Sequence, residues 1–117
     1  MTTHIPTNIV LHQRSKVLEV SFDNGEVFKL PFEYLRVFSP SAEVRGHGKG
    51  QEVLQVNKQN VGVDEIESVG NYAIKLNYDD GHNTGLYTWD YLYELGENHA
   101  QNWQMYLDRL AAADESR

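Results

Sequence analysis

Residues Asn71 to Trp89 read NYAIKLNYDDGHNTGLYTW, and the spacing of side chains along this stretch decides what kind of fold the chain can make. Tyr72, Ile74, Leu76 and Tyr78 recur at every second position, with Asn71, Ala73, Lys75 and Asn77 between them. Successive side chains of extended backbone point to opposite faces, so the pattern predicts a strand with its first face in a core and its second toward water. Asp79-Asp80-Gly81-His82 interrupts the alternation, and Thr84, Leu86 and Thr88 then resume it against Gly85, Tyr87 and Trp89. The stretch predicts an antiparallel hairpin turning around Gly81, where the lack of a β-carbon eases the reversal.

Working outward toward the N-terminus, Leu18, Val20 and Phe22 alternate up to Asp23-Asn24-Gly25. Asn-Gly supplies positive-φ residues for a tight turn, which predicts that Lys16 to Phe22 pairs with Glu26 to Leu30. Ile9 and Leu11 mark a further strand. Phe32, Leu35 and Phe38 fall on a helical stripe with Pro31 suited to its first turn, and Pro40 disfavours helical geometry at Ser39, so a short helix should end near Phe38. Ala42 to Gln51 reads as an exposed loop. Its Gly46-His47-Gly48-Lys49-Gly50 run lacks the GxxxxGK[ST] spacing of a phosphate cradle. Val53, Val56, Val61, Val63, Ile66 and Val69 suggest short strands without settling their register.

Toward the C-terminus, Asp90 to Leu95 can coil and stop at Gly96, and Trp103, Tyr106, Leu107 and Leu110 form one apolar stripe on a helix from Asn98 to Leu110. Residues 111–117 lose the stripe and should fray. The whole predicts one α+β domain spanning 1–117, a small antiparallel β-sheet built from hairpins with a short middle helix and a C-terminal helix packed on the core. A chain of 117 residues fits one domain.

Ten basic against seventeen acidic residues leave a formal charge of −7, the wrong sign for the phosphate-neutralising surface that nucleic-acid binding requires. No run approaches the roughly 18 apolar residues of a membrane helix, and MTTHIPTNIV lacks the order of a signal peptide. There are no cysteines, which removes disulfides, thiolate nucleophiles and sulfur-held clusters from this polypeptide. A cytoplasmic protein that binds neither nucleic acid nor membrane is the expectation.

Histidines stand at positions 4, 12, 47, 82 and 99, and none begins an HxD or HxxxH arrangement. His82 is the best placed, following two carboxylates at a strand end. It reads either as a hydrogen-bonded turn residue or as part of a metal or acid-base cluster. Asp79 and Asp80, being adjacent, should face opposite ways, one satisfying turn N–H groups and the other reaching His82. Glu43 and His47 are further ligand-type residues, on a loop that no spacing rule brings close. Ser39 and Ser41 flank a proline outside any GxSxG or SxxK motif, so they read as turn residues and no catalytic set emerges.

LRVFSPSAEVRGHG together with VGNYAIKLNYDDGHNTGLYTWDYL resembles the gamma-butyrobetaine hydroxylase-like N-terminal domain family, over about Ile9 to Leu110. The resemblance implies a domain of unknown function that occurs alone, ahead of iron- and 2-oxoglutarate-dependent oxygenase domains, or joined to iron–sulfur cluster carrier ATPases. In the hydroxylase branch it implies a structural zinc held by a CxCxxC run and a later histidine. Ser39, Ser41 and Val44 stand at the three cysteine positions and His82 at the histidine. Hydroxyls are poor zinc ligands and valine is none, so no structural zinc and no cofactor is expected. The resemblance also brings Ser39 to Val44 near His82, where Glu43, His47, Asp80 and His82 would surround a polar junction.

These observations favour a non-enzymatic accessory or protein-interaction domain whose partner is an unidentified cytoplasmic protein, an iron–sulfur cluster carrier being the one the resemblance implies. Two other readings stay open. One is a small-ligand or weak divalent-metal binding protein or enzyme using Asp80 and His82, and the other a structural subunit that stabilises a partner enzyme.

Overall fold

The computed structural model describes residues 4–46 and 52–117. The chain runs β1 (Pro6–His12), β2 (Val17–Phe22), β3 (Val27–Pro31), α1 (Phe32–Val37), α2 (Ala42–Arg45), β4 (Val63–Val69), β5 (Ala73–Tyr78), β6 (Leu86–Thr88), α3 (Trp89–Glu97) and α4 (His99–Ala112). Among the described residues the strands form two antiparallel meanders of three, ordered β1-β2-β3 and β4-β5-β6. The α+β class expected from the alternating stretches is the one observed.

Both meanders turn one face to a shared core. Leu18 and Val20 of β2, Leu30 of β3, Ile74 and Leu76 of β5 and Tyr87 of β6 meet Leu35 of α1 with Leu92 and Leu95 of α3. A smaller cluster of Val37, Tyr106 and Leu110 fastens α4 to the end of α1, with Trp103 partly buried against both clusters. Trp103 is therefore a bridge at the core edge, and Tyr106 is the fully enclosed aromatic of the α4 stripe.

The β2–β3 turn differs in detail from the two-residue turn that Asn-Gly suggests. Gly25 alone has positive φ, at 91°, while the Gly25 N–H donates to the Phe22 carbonyl at 3.0 Å and the Phe22 N–H to the Glu26 carbonyl at 2.8 Å. Asn24 instead uses its side chain, whose Oδ1 accepts from the Glu26 N–H at 3.0 Å. This is the longer hairpin loop in which one glycine absorbs the left-handed step.

Three further expectations change. Tyr72 has the core-facing parity but is 46% exposed, because the strand starts only at Ala73 and the tyrosine lies past the edge of the core beside the Gly70 turn. Ala73 is buried as well, so both faces of the strand are covered at that end. The segment read as an exposed loop contains α2, with Val44 buried and its carbonyl accepting from the Val53 N–H at 2.7 Å; residues 47–51, with His47 and the part of the glycine-rich run after Gly46, lie outside the described residues. Finally, α3 does not stop at Gly96 but runs through it to Glu97. The glycine serves packing: a β-carbon there would come within 2.3 Å of the Phe28 ring.

Candidate functional site

The hairpin that turns around Gly81 carries His82 inward. Gly81 has φ 89° and donates its N–H to the Tyr78 carbonyl at 3.1 Å, while the Tyr78 N–H donates to the His82 carbonyl at 3.0 Å. This closed turn fixes the backbone at His82, whose side chain meets the bend between α1 and α2. There the Pro40 break leaves Ser39 and Ser41 in non-helical backbone, and Ser41 caps α2 by accepting from the Glu43 N–H at 3.2 Å.

Both imidazole nitrogens are engaged. His82 Nε2 lies 2.8 Å from Ser39 Oγ and Nδ1 lies 3.2 Å from Glu43 Oε2. A carboxylate only accepts, so the proton sits on Nδ1 and the Ser39 hydroxyl donates to Nε2. Burial lowers the His82 pKa from its ordinary value, the positive charge of Arg36 lowers it further, and Glu43 and Asp80 oppose them. The imidazole is therefore neutral at pH 7. Ser41 Oγ reaches Thr84 Oγ1 at 2.6 Å, a second link between the same two segments.

Asp80 takes the turn-capping role, with Oδ1 accepting from the His82 N–H at 3.2 Å. Its other oxygen faces two cations, Arg36 Nε at 3.0 Å and Lys58 Nζ at 2.9 Å. Burial pushes its pKa up, but the hydrogen bonds from Lys58 and the His82 N–H, with the Arg36 charge, outweigh this and hold it down at about 2. Arg36 is itself buried and places Nη1 3.0 Å from Gln55 Oε1. Asp79 turns to the other side, its carboxylate lying against Gly62 and its N–H donating to the Gly62 carbonyl at 2.9 Å.

Glu43, Asp80 and His82 are thus brought together with Ser39 and Ser41; Val44 is buried nearby in α2, and His47 lies outside the described residues. Arg36, Lys58 and Thr84 join the cluster without any signal in the sequence, since they come from three separate segments. So does a buried relay beneath it: the Tyr78 hydroxyl lies 2.7 Å from the Tyr87 hydroxyl, which donates to the Leu35 carbonyl at 2.6 Å.

The order Ser39, His82, Glu43 has the connectivity of a nucleophile, base and orienting acid. Access decides against that chemistry at Ser39. The residue is 1% exposed, the Ser41 N–H donates to its hydroxyl at 3.3 Å, and Gly85 lies so close that a β-carbon there would come within 2.4 Å of Oγ. No acyl carbon can approach an oxygen enclosed in this way. The residues at the zinc positions fail a separate test. Ser39 is spent on His82 itself, Ser41 on Thr84, and Val44 has no donor atom, so they do not fit a tetrahedral ion. Among the described residues no group of three or more His, Cys, Asp or Glu side chains is arranged to hold a metal, and no buried side-chain nitrogen or oxygen lacks a partner.

Beside the junction lies an open cleft of ≈450 Å³ between α1, α2, α3, α4 and residues 52–55. Val44, Val53 and Met105 provide apolar surface, with Arg45, Tyr91 and Arg109 around them. The Arg45 guanidinium lies 4.8 Å from the Tyr91 ring centre, and the Tyr91 hydroxyl donates to the Phe38 carbonyl at 2.5 Å.

Fold and junction together define a small α+β domain whose conspicuous histidine ties two segments by hydrogen bonds. The sequence model described as gamma-butyrobetaine hydroxylase-like, N-terminal, matches residues 9–93, and the chain belongs to that family. Two solution NMR structures are similar, one at 51% identity over 99% of this chain and 91% of the other with a TM-score of 0.85, the second at 52% over 100% and 90% with a TM-score of 0.84. A crystal structure of a protein of unknown function from Acidithiobacillus ferrooxidans is 38% identical over 78% of this chain and 91% of that one, with a TM-score of 0.66. No curated protein matches. Among the described residues no helix is long and apolar enough to cross a membrane.

Proposed function

We propose that this chain is a non-enzymatic accessory domain that works by binding another protein, and that its partner is an iron–sulfur cluster carrier. One observation carries the first part: the polar residues that look chemical are closed upon one another, while the neighbouring cleft is open and presents exposed Val53 and Met105. Grouped exposed apolar side chains mark interaction sites, and a polar margin around them is the usual anatomy of an interface. Arg45 and Arg109 with Glu52 and Glu94 supply that margin. The choice of partner rests on the family resemblance, in which the same domain is joined to carrier ATPases.

The test is calorimetric titration of a purified carrier ATPase, with and without its cluster, into the wild-type chain and a Val53→Asp/Met105→Asp variant. Saturable binding that the variant weakens by more than about tenfold, at unchanged circular dichroism, is the expected result; about tenfold corresponds to 1.4 kcal/mol. Absence of binding in both cluster states overturns the partner. Equal binding by the variant overturns the cleft.

A further inference from the structure

Away from the histidine junction, one buried carboxylate has a partner from the far end of the chain. Glu33, in the first turn of α1, is 8% exposed. Its Oε1 lies 2.7 Å from Arg117 Nη2 and its Oε2 3.1 Å from Arg117 Nε, a two-pronged, charge-assisted contact. The same guanidinium sits 5.5 Å from the centre of the Trp103 ring.

Local backbone explains how Arg117 arrives there. At the end of α4 the Glu115 N–H donates to the Leu110 carbonyl at 2.8 Å and the Asp114 N–H to the Ala111 carbonyl at 3.1 Å, with Asp114 at φ 56°. This helix-ending reversal sends residues 115–117 back toward α1. The two sides of the contact are unequal. Glu33, Tyr34 and Trp103 belong to packed helices, with Tyr34 fully buried and stacked on His99 at 4.3 Å. Arg117 is a partly exposed side chain beyond the last helix. A cleft of ≈230 Å³ remains beside the guanidinium, walled by Pro31, Tyr34, His99 and Trp103.

We propose that Glu33, Tyr34 and Trp103 form a receptor for a guanidinium group, occupied by Arg117 and able to take an arginine side chain of another polypeptide in its place. The inference does not rest on the cleft or the partner proposed above. Glu33 is shielded from water in the folded chain, so its carboxylate gains from a cationic partner, and the planar fork of arginine matches both carboxylate oxygens where an ammonium ion meets them one at a time. The aromatic wall adds a face for the guanidinium plane, and the residual cleft leaves room for the chain that bears it.

The probes are a blocked Gly-Arg-Gly tripeptide and its Gly-Lys-Gly counterpart, titrated into wild type, Arg117→Ala and Glu33→Gln/Arg117→Ala while following the assigned Trp103 indole resonance. Arg117→Ala should bind the arginine peptide saturably in the millimolar range, at least about tenfold more tightly than the lysine peptide and than wild type, where Arg117 competes. Adding Glu33→Gln should remove the binding, and the neutral isostere keeps the fold testable. Equal affinity for the two peptides, equal affinity in wild type and Arg117→Ala, or binding that survives Glu33→Gln overturns the proposal. An Arg117→Ala protein that stays folded yet shows no Trp103 shift overturns it as well.

Discussion

Ser39 donates its hydroxyl proton to His82 Nε2 across 2.8 Å, joining the bend after α1 to the hairpin between β5 and β6, 43 positions along the chain. Both residues are shielded, His82 being 6% exposed. Replacing His82 with alanine leaves the Ser39 hydroxyl without its acceptor and should cost about 1–3 kcal/mol. Urea unfolding measures this directly, and an unchanged midpoint would show that the junction contributes nothing to the fold.

His82 titrates lower in the folded chain than in the unfolded one, chiefly through burial with Arg36 adding to it, so its contribution is complete above about pH 6.5 and is lost as pH falls below that value. Wild type should therefore lose more stability between about pH 7 and pH 5 than His82→Gln does. Asp80, held at about 2 against an ordinary value of 3.8, faces solvent enough that screening leaves it a contribution of at most about 1 kcal/mol above its unfolded pKa, lost as pH falls through the folded one. The stability gap between wild type and Asp80→Asn should accordingly narrow as pH drops from about 4 toward 2. Unfolding curves across pH for the three proteins check both windows, and parallel curves would refute them.

Tyr87→Phe removes one oxygen and strands two groups, since the Tyr87 hydroxyl both donates to the Leu35 carbonyl and accepts the hydrogen bond of the Tyr78 hydroxyl. Its cost should be about 1–3 kcal/mol, against about 1 kcal/mol for Tyr78→Phe, which deletes only the end of the relay. Equal costs in denaturant unfolding would mean that water replaces the middle link.

Gly96→Ala sets helix propensity against packing. Alanine gains up to about 1 kcal/mol in a helix interior, but its β-carbon would fall 2.3 Å from the Phe28 ring, and overpacking of this kind costs about 1–3 kcal/mol. A lowered thermal midpoint is expected, with recovery when Phe28→Ala is added. A raised midpoint for the single variant would show that the ring swings aside freely.

Much of the fold is local enough to read from the chain. Period-two runs at Leu18 to Phe22 and Ile74 to Tyr78 and the turn residues at Gly25 and Gly81 depend on near neighbours, and the structure places strands and reversals there. Gly96 misleads for a physical reason: a glycine that ends a helix and one that admits another side chain are the same letter, and only Phe28 tells them apart. Tyr72 misleads because strand parity says which face a residue takes but not where the core stops.

By itself the sequence determined the alternating strands, the hairpins, the absence of thiol chemistry and the family to which the chain belongs, because these follow from residue type and spacing. Only the tertiary structure decided what His82 does. Its neighbours Ser39, Glu43 and Arg36 come from another part of the chain, and the closeness of Gly85 that shuts off Ser39 is a matter of packing distance. The Glu33–Arg117 contact, 84 positions apart, has the same origin. Spacing along a chain constrains side chains a few residues apart, whereas the pairing of distant charges is set by how the two sheets and α4 pack against α1, which no local rule encodes.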